Sequence, residues 1–292
     1  MTDPAPYYVV AGHVADDILI SPDGEESYAP GGAALYAGVA ALRLGVDVGV
    51  LTSSAHQVSP LLDGARAALV PSPQSTVFVN RYEPGGRTQT VRACATPLGR
   101  RDLPDPWRGA RIVHLGPIAN EVDPALATAF DPRRTLRAAT PQGWLRRWDD
   151  DGRVRLLSHE ALIPLLDAAA FDVVVVSDED IGHAAGAVDA YRERVYILIV
   201  THGAAGATVY AGEGVLHVPA SPAVERDPTG AGDVFTAAFL ISYSREKDLL
   251  GAARFAAAAA ACTVEGLGAA TIPTAAAVAA RLKAACAGQV RP

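Results

Sequence analysis

Between Asp227 and Leu240 the chain reads Asp-Pro-Thr-Gly-Ala-Gly-Asp-Val-Phe-Thr-Ala-Ala-Phe-Leu. Asp227 to Gly232 is a turn of small residues with two glycines. Val234 to Ser242 is an apolar run without glycine or proline, which predicts a buried helix. Where a glycine turn opens onto a helix, the first backbone N–H groups lack partners and face outward. With the positive end of the helix dipole they make a seat for a phosphate or another developing anion. Asp233 stands at the mouth of that seat. A carboxylate there would repel a phosphate, so its presence needs a second reason. It gains one if Asp233 takes a proton from a hydroxyl that then attacks phosphorus. The alternative is a helix N-cap or first-turn carboxylate. As a base, a carboxylate is expected to be ionised at neutral pH without a large pKa shift.

The elements that would hold this turn in place can be read along the chain. Tyr8–Gly12 is a short apolar strand ending in glycine, and Asp16 and Asp17 follow at or just past its end. They read either as a solvated turn or as ligand groups at the carboxyl edge of an open sheet. Pro30-Gly31-Gly32 leads into an alanine-rich helix that closes at Gly45. Residues 75–82 and 87–93 alternate with period two around the turn Glu83-Pro84-Gly85-Gly86 and predict a hairpin. Asn80 and Gln89 on it are either substrate contacts or ordinary sheet-surface polar residues. Arg111–Leu115 is a strand, and 124–130 a short helix. Around Gln142 and Arg146 the chain reads as a ligand-contacting segment, or as a surface loop with Trp144 and Trp148 packed beneath it. Phe171–Val176 and Val195–Val200 are continuous apolar runs, the mark of parallel strands covered on both faces. Helices are predicted again over 251–264 and 274–287.

Composition narrows the function classes. The chain has 292 residues, 50% of them hydrophobic and 20% charged, enough for a substantial core. A formal net charge of -7 argues against a nucleic-acid-binding surface. Met1 to Tyr8 has no basic n-region or apolar h-region, so no secretory signal is expected. The longest alanine-rich run, Ala252 to Ala261, contains Arg254 and is too short to span a bilayer. Cys94, Cys262 and Cys286 form no CxxC pair and are expected to be reduced, cytoplasmic thiols. No GxxxxGK[ST] occurs, and GxGxxG fails because its third glycine position is Phe235. No HExxH is present either, and no GxSxG in a strand–turn–helix context.

Taken whole, Asp227–Leu240 resembles, position for position, the C-terminal signature of the ribokinase-like (PfkB) carbohydrate kinases. The resemblance implies an α/β fold: a three-layer sandwich with a mostly parallel central sheet and a small β-sheet lid. It implies one domain over residues 1–292, with lid strands inserted around 18–30 and 75–95. Gly230, Ala231 and Gly232 then form the anion hole for the transferred phosphoryl group, and Asp233 is the base. Asp16 matches the family's acceptor-binding Asp, with Asp17 as the fallback; Gly31, Gly32, Asn80 and Gln89 join it. The helix after Gly32 resembles the N-terminal signature, with Tyr36 where the family carries Asn, a departure that bears on the acceptor class. Thr201-His202-Gly203-Ala204-Ala205-Gly206 resembles the T-x-G-x-x-G turn that lines the nucleotide, so Thr201, Gly203, Gly206, Thr229 and Gly268 are assigned to ATP. Ser177 to Asp180 stands where the family has an NxxE motif organising Mg²⁺, which makes Asp180 the metal candidate. The loop at 266–273, with the Asp227 segment, can hold a monovalent cation such as K⁺.

The implied activity is ATP-dependent phosphorylation of a hydroxyl on a small sugar or polyol, in the cytoplasm, without nucleic-acid or membrane partners. A homodimer through the lid is part of the same expectation. A nucleoside or inositol kinase, and a non-catalytic ligand-binding relative on the same scaffold, are the alternatives.

Overall fold

The computed structural model describes residues 4–288 except 84, 85, 183 and 185, with side chains through 285. Pro84 and Gly85 of the predicted turn, and the Cys286 side chain, lie outside the described residues. In chain order the strands are β1 (Tyr8–Ala11), β2 (Ala15–Ile20), β3 (Glu26–Gly31), β4 (Val48–Ser54), β5 (Arg66–Pro71), β6 (Val77–Glu83), β7 (Gly86–Ala93), β8 (Ile112–Leu115), β9 (Leu136–Ala139), β10 (Arg146–Trp148), β11 (Val154–Leu156), β12 (Val173–Ser177), β13 (Ile197–Thr201), β14 (Ala207–Ala211) and β15 (Gly214–Val218). The α-helices are α1 (Ala33–Arg43), α2 (Ile163–Ala169), α3 (Asp178–Ile181), α4 (Ala187–Arg192), α5 (Ala231–Glu246), α6 (Leu249–Thr263) and α7 (Ala275–Gly288).

Among the described residues, nine strands form one sheet in the order β15-β14-β13-β12-β9-β8-β1-β4-β5. From β13 to β5 every pairing is parallel; β14 and β15 add an antiparallel edge. Alternate residues of each strand feed opposite faces. Tyr8 and Val10 pack with α1, α5 and α6 on one side, while Val9 and Ala11 pack with Leu166 of α2 and Tyr191 of α4 on the other. The result is a three-layer α/β sandwich. Helix α5 is apolar on nearly every side, from Val234 to Ile241, because it lies between α1, α6 and the sheet.

A second, four-stranded sheet has the order β3-β2-β6-β7. It is joined to the body through a small apolar cluster of Ala15, Ala33, Phe78, Val91, Ile118 and Ala119. Its β2–β3 and β6–β7 pairs are antiparallel, and β2 runs parallel to β6.

Three local expectations change. Asp16 and Asp17 lie inside β2 rather than past the end of a strand, because the edges of β3 and β6 take up the chain from Ala15 onward. Residues 124–129 form a 3-10 turn rather than an α-helix, since Pro132 follows too soon for a longer coil. The region around Trp148 is a short hairpin, β10–β11, rather than a loop. No helix among the described residues is long and apolar enough to cross a membrane.

Helix α6, which packs along α5, buries a run of alanines, Ala252, Ala253, Ala256 and Ala259 among them. Small side chains set how close the two helices come, so Ala256→Leu should overpack the seam and lower stability by about 1–3 kcal/mol. Thermal unfolding checks this; an unchanged Tm would mean that the seam has room to spare.

Candidate active site

The order of the central strands reverses at β1, which has β4 on one side and β8 on the other. In open α/β sheets, ligands bind in the crevice at the carboxyl ends of the strands beside such a reversal. The residues singled out by the sequence converge on that edge from α1, the small sheet, the ends of β12 and β13, and the first turn of α5.

Helix α5 starts with Gly230 as its N-cap residue, and no side chain caps it. Val234 N–H donates to the Gly230 carbonyl at 2.9 Å, and Ala231 N–H donates to the Pro228 carbonyl at 3.2 Å. Ala231 therefore turns its amide back into the turn, and the predicted anion seat narrows to the next residues. Among the described residues, the amides of Gly232 and Asp233 have no such partner, and Gly232 fronts open space.

The Asp233 carboxyl accepts no capping bond and is half-buried. Burial raises its pKa from the usual range to about 7; the Arg146 charge opposes that shift and Asp180 adds to it. The expectation of an ordinary carboxylate, fully ionised at neutral pH, is corrected here: withdrawal from water penalises the charged form.

Gly230 sits at φ +77°, and a Cβ there would overlap the ring of Tyr36. Tyr36, only 4% exposed, forms the floor under the turn, with its hydroxyl end beside Gly268. Burial raises the phenol's pKa, and the charges of Asp227, Asp17 and Asp233 raise it further, so the ring stays neutral among carboxylates. Tyr36, expected to face substrate, is thus buried beneath the Gly230 turn.

In β2, alternation sends Asp16 and Asp17 to opposite faces. Asp16 is exposed, whereas Asp17 lies against Gly31, where any Cβ would meet its carboxyl. Gly31 thus makes room for Asp17, and Gly32, its neighbour, packs on the His13 carbonyl at the start of α1. Asp17 Oδ1 is buried and has no hydrogen-bond partner among the described residues. Burial lifts the Asp17 pKa to about 6; Arg87 and Arg146 pull it down, and Asp16 pushes it up. An orphaned carboxylate oxygen of this kind asks for a donor from a ligand. On the same sheet Asn80 is buried and accepts from Gln89 Nε2 at 2.8 Å, its cross-strand neighbour. The two amides are paired with each other.

At the end of β12, Ser177 and Asp180 close a reciprocal cap. Asp180 Oδ2 accepts Ser177 N–H at 3.0 Å and Ser177 Oγ–H at 2.8 Å, and Asp180 N–H returns a bond of 3.1 Å. Its other oxygen makes no hydrogen bond among the described residues, and its charge reaches Asp233 and Arg146. No group of three or more His, Cys, Asp or Glu that could hold a metal exists among the described residues. One half-free carboxylate fits an ion held mainly by waters and substrate oxygens, as Mg²⁺ commonly is.

On the far side of the crevice, Thr201 Oγ1 donates to the Val176 carbonyl at 3.3 Å, and Gly203 fronts open space. Gly206, expected to line the nucleotide, packs on the Val218 carbonyl and closes the β13–β14 turn. Asp227 ties two loops together: one oxygen accepts Thr229 N–H and the other Gly268 N–H, each at 2.9 Å.

Comparison with known proteins agrees with this geometry. Residues 155–275 match the family model described as pfkB family carbohydrate kinase. A fructokinase of Escherichia coli is 30% identical over 264 residues, covering 80% of this chain and 83% of that protein. The chain belongs to the pfkB carbohydrate kinase family. A cytidine kinase of Thermococcus kodakarensis is 27% identical over 255 residues, covering 82% of this chain and 90% of the relative. The fold is that of the fructokinase with bound ATP from Xylella fastidiosa, with a TM-score of 0.78 at 19% identity over 96% of this chain and 99% of that one. The ribokinase-like architecture of the pfkB kinases is thus present here from end to end of the described chain.

Asp16 is the first expectation for acceptor binding and Asp17 the fallback, while in the fold it is Asp17 that turns inward, as alternation counted from buried Ala15 implies. Arg146, whose segment reads from sequence as ligand-contacting or as a surface loop, acts on Asp17 through its charge, and so does Arg87, which nothing in the local sequence distinguishes from a surface arginine.

The contact between Gly230 and Tyr36 can be tested by substitution. Gly230→Ala adds both a strained φ and a clash, and should lower stability by about 1–3 kcal/mol. Adding Tyr36→Ala removes the clash only, so the double variant should regain part of the Tm loss attributable to position 230. Independent, additive effects would show that ring and turn do not touch.

Proposed function

We propose that this pfkB kinase transfers the γ-phosphoryl group of ATP to a hydroxyl of a small sugar or polyol, with Asp233 as the base. The observation that carries the proposal is a half-buried carboxylate in the first turn of α5, beside two unpaired amides and open space. A hydroxyl held in front of Asp233 gives up its proton as its oxygen attacks phosphorus. The amides of Gly232 and Asp233 face the charge that accumulates on the transferred group, as preorganised donors do in such reactions. Asp17, with its orphaned oxygen, accepts from a second acceptor hydroxyl and fixes which one faces Asp233.

Thr201, Gly203, Thr229 and Gly268 border the space left for ATP. Asp180 would hold Mg²⁺ through water, and the ion would neutralise charge on the donor's phosphates. A monovalent cation would draw on carbonyls of the Asp227 and Gly268 segments, which Asp227 already holds together. The small sheet acts as a lid that excludes water, the competing acceptor.

A nucleoside acceptor is the second reading, favoured by the 27% identity to a cytidine kinase over most of both chains. An acceptor panel in an ADP-release assay separates the two: sugars and polyols should turn over with kcat/KM at least about tenfold above cytidine and other nucleosides. The reverse order would favour the nucleoside reading.

The pKa of about 7 at Asp233 has a direct kinetic consequence. The base must be ionised, so kcat/KM should fall as pH drops below that value and level off above it. A profile flat from pH 5.5 to 8.5 would remove Asp233 as the titrating base. Asp233→Asn should lower kcat by ~10³-fold or more while ATP affinity, read by calorimetry, stays near wild type.

A further inference from the structure

His114 is a fully buried imidazole that takes no part in the proposed reaction. It lies on β8, two residues after Ile112, so alternation puts it on the face that packs against α1 and α5. Each ring nitrogen has one partner among the described residues. Nδ1 stands 2.7 Å from the Tyr8 hydroxyl, and Nε2 stands 2.9 Å from Thr140 Oγ1.

The direction of these two bonds follows from burial. Tyr8 is fully buried, and its hydroxyl has no other partner among the described residues. A buried O–H left without an acceptor is costly, so Tyr8 donates to His114 Nδ1. Burial drives the His114 pKa down to about 3, so the ring is neutral and carries a single hydrogen. With Nδ1 accepting, that hydrogen is on Nε2, and it is donated to Thr140 Oγ1. Thr140 therefore accepts from the core and turns its own O–H elsewhere. Among the described residues that O–H meets no acceptor.

Thr140 directly follows β9 at the carboxyl edge of the sheet, and its N–H donates to the Leu115 carbonyl at 3.0 Å. Its Oγ1 lies beside Gly116, where an added Cβ would meet both it and Ala33 in the first turn of α1. Helix α5 packs over β8 and β9. Asp233, in the first turn of α5, is near enough for its charge to act on Tyr8. The free O–H of half-buried Thr140 thus faces the gap between the first turns of α1 and α5, on the side of Asp233. A hydroxyl confined to donating suits an oxygen that carries negative charge and has no hydrogen to give. The attacking acceptor hydroxyl is the opposite case, since its hydrogen must go to Asp233. Phosphoryl oxygens fit.

We propose that Tyr8 and His114 form a buried relay that fixes Thr140 as a hydrogen-bond donor to the phosphoryl group under transfer. Thr140 touches that group, and His114 is a positioning residue acting through it. The proposal rests on the kinase reading above. In the step, the acceptor oxygen forms the new O–P bond as its proton moves to Asp233. The bond from phosphorus to the bridging oxygen breaks, and its electron pair leaves with the nucleoside diphosphate. Thr140, His114 and Tyr8 keep their protons throughout.

The first test needs no turnover. In the full-length protein with 15N-labelled histidine, NMR should show His114 as the neutral Nε2–H tautomer from about pH 5 to about pH 8. An Nδ1–H tautomer, or an imidazolium in that range, would overturn the relay. The second test is kinetic. Thr140→Val keeps the shape without the hydroxyl and should lower kcat by about 10²-fold, with acceptor KM within about threefold of wild type. Thr140→Ser should restore most of the loss. His114→Gln keeps an N–H at the Nε2 position and should hold kcat within about threefold, whereas His114→Leu should lose about tenfold. Added to Thr140→Val, His114→Leu should cost almost nothing further in kcat, because its effect passes through Thr140. Fully additive losses, His114→Gln no better than His114→Leu, or Thr140→Val within about threefold of an active wild type would overturn the relay and leave the kinase reading standing. A wild type that transfers no phosphoryl group to any acceptor would overturn both.

Discussion

The site depends on holding carboxylates where water cannot fully solvate them. Asp17 and Asp233 both ionise less readily than free carboxylates because the crevice withdraws them from solvent. Such groups weaken a fold unless the surrounding structure leaves them no alternative. Here it leaves none: Asp17 is fixed by β2 and lies against Gly31, and Asp233 is fixed by the first turn of a helix whose remaining length is core. The energy of burying α5 and the central sheet holds the acids in place.

A second constraint is the seating of the Gly230 turn. Gly230 needs a left-handed φ, and the Tyr36 ring fills the space below it. Helix α1, which carries Tyr36, starts beside Asp17 and packs along α5. Asp17 and the Gly230 turn are thereby referred to one rigid helix. Asp227 links two further loops by accepting the amides of Thr229 and Gly268. In the proposed reaction such links matter, because a misplacement of about 1 Å between reacting groups is enough to lose much of the rate.

The carboxyl edge of the sheet brings together residues far apart in sequence. Gly12 follows β1, Ser177 ends β12 and Thr201 ends β13, and all face the same crevice. The parallel pairings make this unavoidable, since every strand from β13 to β5 ends on the same side. The small sheet joins the body through one apolar cluster that includes Phe78, whose ring lies under the Arg146 guanidinium.

Much of this was legible in the residue string, because it depends on local chemistry. The glycine turn into an apolar helix, the continuous valine runs and the period-two hairpin each announce their backbone state through sterics and burial. What the string could not carry was direction and depth. Whether Asp16 or Asp17 points inward depends on where pairing with β3 and β6 begins. The packing position of Tyr36 depends on its distance from a glycine nearly two hundred residues away. The raised pKa of Asp233 is a sum over burial and charged neighbours from several segments. Residue type and local spacing are enough to set which elements form and what side chains they carry. Which of those residues meet is settled by packing across distant segments, because burial and charge act through space and not along the chain.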